Sequence, residues 1–153
     1  MKQIETSSHL AEIYVGYKTK PKQKDLPKIK SSQDAYEYLM QVWDENRLEH
    51  VEECIILPVN RQNKVLGWAK VSTGGVSSTI IDPKILFQIA LKSNASAFIM
   101  AHNHPSGNKK PSDHDITLTK KIKEASNFME IELLDHLIII SGEYYSFVDE
   151  GRM

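Results

Sequence analysis

The chain has 153 residues, 41% hydrophobic and 25% charged, the ordinary make-up of one soluble globular domain with a single core. A net charge of -1 with histidine neutral excludes a whole-molecule field that would draw in nucleic acid or an anionic membrane. Cys54 is the only cysteine, which excludes an intramolecular disulfide and a thiolate metal cluster.

The polar stretch from Met1 to Ser8 lacks the apolar core of a signal peptide, and runs such as Leu137 to Ile140 are too short to span a bilayer. A cytoplasmic protein without membrane association is expected. Alternation around Ile13 and Val15 suggests a first short strand. Lys18 to Lys30 holds six lysines and two prolines, which reads as an extended, solvated connector and not a packed element. No aromatic residue interleaves those lysines, so a phosphate-binding arm is disfavoured.

Ser32 can cap a helix reaching about Arg47, with Tyr36, Leu39, Met40 and Trp43 on one apolar face. Glu52 to Val59 and Lys64 to Ser72 read as the strands of a hairpin, turning at Asn60 to Asn63. Pro58 cannot donate to a ladder and is expected at an edge or a bulge. Asp82-Pro83 is a strong helix start, Ile85, Leu86, Ile89 and Ala90 form a core stripe, and Asn94 is the stop. Ala97 to Ala101 is short and apolar, as a buried strand would be. Ser112 opens another helix, with Leu118, Ile122, Ala125 and Met129 on one face. Ile131 to Leu134, Leu137 to Ser141 and Tyr144 to Val148 read as closing strands, the last two joined by a tight turn at Gly142-Glu143. Trp43 and Trp68 read as core aromatics and Cys54 as a small buried hydrophobe. The pattern is α/β, or α+β in a stricter scheme: a largely antiparallel sheet with three helices in one layered domain.

The informative stretch is His102-Asn103-His104-Pro105-Ser106-Gly107, then Pro111-Ser112-Asp113-His114-Asp115. Residues two apart on an extended chain point the same way, so His102 and His104 can aim at one point. Pro105 and Gly107 turn the chain, and Asp115 returns on the first turn of the next helix. Two imidazoles and a carboxylate suit a divalent metal such as zinc, leaving the fourth tetrahedral position open for catalysis. Ser112 and Asp115 also fit a helix cap without metal, and the two uses are compatible. His114 should face away from Asp115, at the surface. His136 reads as a hydrogen-bonded core residue or a support for a ligand. His9 and His50 have no evident partners. The contiguous spelling His102-Asn103-His104 does not make an HNH nuclease, whose residues are spread over a longer motif. Neither His102 nor His104 opens the H-x-E of zinc deaminases, and their P-C-x-x-C and the H-E-x-x-H of other metallopeptidases are absent.

The spacing H-x-H-P-x6-S-x-x-D resembles the JAMM motif of JAB/MPN metallopeptidases. The longer block Ala101 to Gly107, with Pro111, Ser112, Asp115 and Thr119, and then Asp135-His136 and Tyr145-Ser146-Phe147, looks like their bacterial RadC-like branch. The similarity covers about residues 32 to 153, with residues 1 to 31 as an N-terminal strand and Lys/Pro-rich connector. It implies a cytidine-deaminase-like sheet flanked by helices. It also implies zinc on His102, His104 and Asp115, with Ser112 stabilising the tetrahedral intermediate and an upstream glutamate as general base. Glu52 and Glu53 are both candidates on opposite strand faces. Glu52, eight residues before Asn60, matches the family position.

The implied activity is zinc-dependent hydrolysis of a peptide or isopeptide-like amide bond, on a protein or peptide substrate that the sequence does not name. The alternative is an accessory module associated with DNA repair or mobile elements, without essential hydrolysis. RadC-like proteins often carry a helix-hairpin-helix DNA-binding module, which the first 31 residues are too few and too rich in lysine and proline to form. Weak DNA association through Lys109, Lys110, Lys120, Lys121 and Lys123 is the corresponding expectation. A two-metal nuclease is disfavoured, since one upstream carboxylate does not make a two-metal site. Specificity would come from the loops at Ser72 to Ile81 and Ser106 to Pro111, whose Gly and Ser content suggests mobility. An exposed edge strand could support a homodimer.

Overall fold

A computed structural model describes Gly16, Lys18 and residues 20–153. The strand expected at Ile13 to Val15, and His9, lie outside the described residues. Among the described residues, a short 3-10 helix (Gln23–Asp25) is followed by nine α-helices and strands: α1 (Ser32–Val42), α2 (Glu45–Leu48), β1 (Glu53–Val59), β2 (Ala69–Thr73), α3 (Pro83–Lys92), β3 (Ala97–Asn103), α4 (Asp113–Phe128), β4 (Glu132–Ile140) and β5 (Glu143–Ser146). The strands form one sheet in the order β2-β1-β3-β4-β5. Every neighbouring pair is antiparallel except β3 and β4, which run parallel because α4 carries the chain back between them.

β1 and β3 are buried along their whole length, which their apolar sequences make affordable. Alternate side chains feed two cores. Ile55, Leu57, Ile99 and Leu137 pack with Leu39 and Trp43 beneath α1 and α2. Cys54, Ile56, Phe98 and Met100 pack with Leu86 of α3 and Ile122 of α4 on the other face. Leu39 is fully buried. Its truncation to Ala would cost about 2–5 kcal/mol through lost burial and the cavity left behind.

Several elements differ from the sequence reading. The first helix is capped by Ser31, whose side chain accepts from the Asp34 N–H, and it ends at Val42. Trp43 is extended, and Asp44 caps the short α2, so the expected helix is two helices. The connector is not wholly solvated. Leu26 and Ile29 are buried, and backbone bonds Ile29 N–H to Asn63 O and Val65 N–H to Pro27 O tie it to the sheet. Those bonds use the Asn63 to Val65 segment, and regular β2 starts only at Ala69. Pro58 sits in an interior strand, and the bulge lies at Cys54/Ile55 instead. Its carbonyl accepts from Leu66, so its missing N–H faces the side where β2 has already left the ladder. The two strands expected either side of Asp135-His136 are one, with an irregular register at Leu134 that keeps both polar residues inside the sheet. Trp68, Ile85 and Met129 are exposed; Phe87, not Ile85, completes the buried stripe of α3. The stop at Asn94 holds: it adopts φ 56°, the left-handed conformation of a helix terminus. Among the described residues, no helix is long and apolar enough to cross a membrane.

Candidate metal centre

β3 runs two residues further than its apolar core, so His102 stands within the ladder, opposite Cys54 of β1 and Ile138 of β4. It shares the face of Phe98 and Met100, beneath α3 and α4. The His104 N–H donates to Ile139 O at 3.0 Å, which extends the pairing just enough to hold the second imidazole on the same side. Gly107 then adopts φ 77°, a conformation open to glycine, and its N–H closes the turn onto His104 O. Asp115 is delivered by a capping box: Ser112 Oγ accepts from the Asp115 N–H at 3.1 Å, and Asp115 Oδ2 accepts from the Ser112 N–H at 2.7 Å.

These elements bring His102, His104 and Asp115 together, with one ligand atom from each within 4.8 Å of the others. The two Nε2 atoms are 2.9 Å apart, and they lie 3.2 Å and 3.4 Å from the Asp115 oxygens. Bonds of about 2.0–2.1 Å in a tetrahedral site would set ligand atoms about 3.3 Å apart, so the triangle is already of the size a metal needs. Orientation agrees as well. His104 Nδ1 lies 2.6 Å from Asn108 O, and a carbonyl can only accept, so this nitrogen carries the proton and Nε2 keeps its lone pair.

The electrostatics match a cation site. Burial pushes the Asp115 carboxyl up, but the closeness of His102 and His104 overcomes it and holds the group well below the usual carboxylate range. For His104, burial lowers the pKa, yet Asp115 and the Asn108 carbonyl raise it more, and the balance is upward.

Glu52 lies just before β1, half-buried, on the His102 face. Burial raises its pKa above the ordinary value, against the opposing pull of His102, His104 and the Thr79 backbone N–H. It lines a groove of about 680 Å³ with His104, Ser112, Asp115 and the loop Val76 to Thr79. Glu53 turns to the opposite face, 1% exposed, with Arg47 Nε and Lys70 Nζ both 2.7 Å from its carboxylate. Burial raises its pKa, but those two cations win and lower it. Ser112 uses an oxygen lone pair for the cap, which leaves its hydroxyl proton available to a group in the groove.

Sequence reasoning gave no role to Asn103. Asn103, between the two histidines, points the other way. It accepts from the Glu53 N–H and donates to Leu48 O and Val51 O, pinning the segment that carries Glu52. Its position in H-x-H was visible; its partners, some 50 residues away, were not. His136 is buried, with Nε2 2.7 Å from His102 Nδ1. His114 is exposed beside the groove, and His50 is exposed. Of the five lysines, Lys109 pairs with Glu143 and Lys123 with Leu133 O and Glu132, so these two are engaged within the domain.

Comparison with known proteins agrees with this geometry. The family model described as the RadC-like JAB domain matches residues 29–152. The chain belongs to the RadC-like JAB domain family. A UPF0758 protein of Flavobacterium johnsoniae is 45% identical over 126 residues, covering 82% of this chain and 54% of the relative. One from Aquifex aeolicus is 39% identical over 123 residues, 80% of this chain and 52% of the relative. Another, from Porphyromonas gingivalis, is 44% identical over 103 residues, 67% of this chain and 45% of the relative. The chain thus spans about half the length of these RadC-family relatives.

Proposed function

We propose that the chain is a JAMM-type zinc hydrolase that cleaves a peptide or isopeptide-like amide bond. The observation that carries this reading is the convergence of two imidazole nitrogens and one carboxylate on a single point, with Glu52 and Ser112 lining the same groove. The donor set, two nitrogens and one oxygen, suits zinc and leaves one tetrahedral position for the reaction. Zinc bound there would polarise a carbonyl and lower the pKa of a coordinated water towards about 7.

The side chains do the rest. Glu52 takes the proton of the attacking water and delivers it to the leaving amine, a task helped by its raised pKa. Ser112 donates its hydroxyl proton to the developing oxyanion, a contact worth about 3 kcal/mol of barrier in comparable sites. The groove walls, Val76 to Thr79 on one side and Pro105 to Pro111 on the other, would take the residues flanking the scissile bond.

A panel of peptide and isopeptide substrates, assayed with wild type, Glu52→Gln and Glu53→Gln, tests this reading. Zinc-dependent turnover lost in Glu52→Gln alone supports it. Full turnover in Glu52→Gln, with loss in Glu53→Gln, overturns the choice of base. Salt-dependent DNA retention without hydrolysis would favour the accessory-module reading.

A further inference from the structure

We infer that His136 and Thr119 are positioning residues that fix the tautomer of His102, so that its Nε2 presents a lone pair to the metal point. The inference follows a chain of three hydrogen bonds with one free choice at its far end. Thr119 Oγ1 lies 2.6 Å from Asp115 O and 2.6 Å from His136 Nδ1, and His136 Nε2 lies 2.7 Å from His102 Nδ1. A carbonyl oxygen has no proton to give, and a hydroxyl has one. Thr119 therefore spends its proton on Asp115 O, the residue one helical turn back on α4. Its lone pair then faces His136 Nδ1, which must be the donor. A neutral imidazole protonated on Nδ1 is bare on Nε2, and that atom accepts from His102 Nδ1–H. His102 is left with an unprotonated Nε2 aimed at His104 and Asp115.

The surroundings keep this order in place. His136 is fully buried and stacks on Phe147 with ring centroids 4.8 Å apart and planes 4° from parallel. Thr119 is also buried. A ring buried this deeply, with a lone pair facing its Nδ1, is held in the uncharged form that keeps one donor and one acceptor. The chain ends on the backbone of Asp115, itself in the triad. One face of α4 therefore supplies both a ligand and, four residues on, the group that sets the proton of another ligand. The arrangement is unusual because the support for His102 is a second histidine, which can work in either direction, and the threonine chooses.

The tautomer can be read without metal and without activity. In imidazole nitrogen–proton correlation spectra of the metal-free protein, His102 and His136 should each carry Nδ1–H, and His136 Nε2 should be bare. A proton on His136 Nε2 would overturn the inference. The consequence for metal rests on the proposed site above and is read by chelator competition for zinc. Thr119→Val and His136→Phe should weaken zinc about 10–100-fold, the usual range for losing such support. Thr119→Ser keeps the hydroxyl and His136→Gln keeps an acceptor oxygen, so both should stay within a few-fold of wild type. Equal affinity in Thr119→Val and Thr119→Ser, with both variants folded by thermal melt, would remove the positioning role. A protein with the stated tautomers that binds no zinc would leave the proton order standing and defeat the metal-site reading instead.

Discussion

Glu52 and Glu53 are adjacent in sequence, yet one lines the groove with His104 and Asp115 while the other is locked to Arg47 and Lys70 beneath the opposite face of the sheet. Strand alternation alone produces this division of labour. It predicts opposite consequences for two chemically identical substitutions. Glu52→Gln should abolish hydrolysis while leaving zinc content and melting temperature close to wild type. Glu53→Gln should lower stability by about 1–3 kcal/mol, since Arg47 and Lys70 lose their charged acceptor, and should leave zinc content unchanged. The cost is not larger because Arg47 and Lys70 are each more than a third exposed and can rehydrate. Chemical denaturation and elemental analysis on both variants check the pair.

Ser112 has two duties that one variant separates. Ser112→Ala removes the cap oxygen of α4 and should cost about 1 kcal/mol of stability. The same change removes the oxyanion donor and should lower kcat by about 100-fold or more, far beyond what the lost cap explains. A stability loss with unaltered kcat would confine Ser112 to the capping role.

Gly74 is predicted to be irreplaceable for the groove wall. An added Cβ would lie 2.0 Å from Ser78 O and 2.5 Å from Thr79 Cα, both backbone atoms that cannot swing aside. Gly74→Ala must therefore displace the loop that brings the Thr79 N–H to Glu52. We expect a stability loss of about 1–3 kcal/mol and a fall in kcat, with zinc stoichiometry unchanged.

Asp135 gives a pH signature in stability. Its carboxyl is buried, and burial pushes its pKa up to about 6 despite bonds from Ser146, Val148 and His136. A carboxyl that holds its proton more tightly when folded favours the folded state at low pH. That advantage fades as pH rises from about 4 through about 6. Relative to Asp135→Asn, which does not titrate, wild type should lose about 2–3 kcal/mol of stability across that window. Denaturation midpoints of both proteins at pH 4, 5, 6 and 7 would show the divergence, and parallel curves would contradict it.

The sequence carried the local features and missed those set by pairing. The Asp82-Pro83 start, the Asn94 stop, the capping box at Ser112 and Asp115, and the H-x-H presentation all depend on residues within a turn of one another. Each was legible for that reason. The parallel pairing of β3 with β4 is non-local, and it alone brings His136 beside His102, 34 residues away. Asp135-His136 looked like a break between strands because two polar residues interrupt an apolar run. The sheet tolerates them because Ser146 and Thr119 satisfy their side chains. The lysine-rich connector hid Leu26 and Ile29, whose burial depends on a contact with Asn63 to Val65 that charge patterning does not report.

The most direct test of the metal centre is elemental analysis of zinc on untagged protein and on His104→Ala, both purified without chelator. About one zinc per chain in wild type and little in the variant is the predicted result. Wild-type protein that is free of metal and takes up none when zinc is added would contradict it.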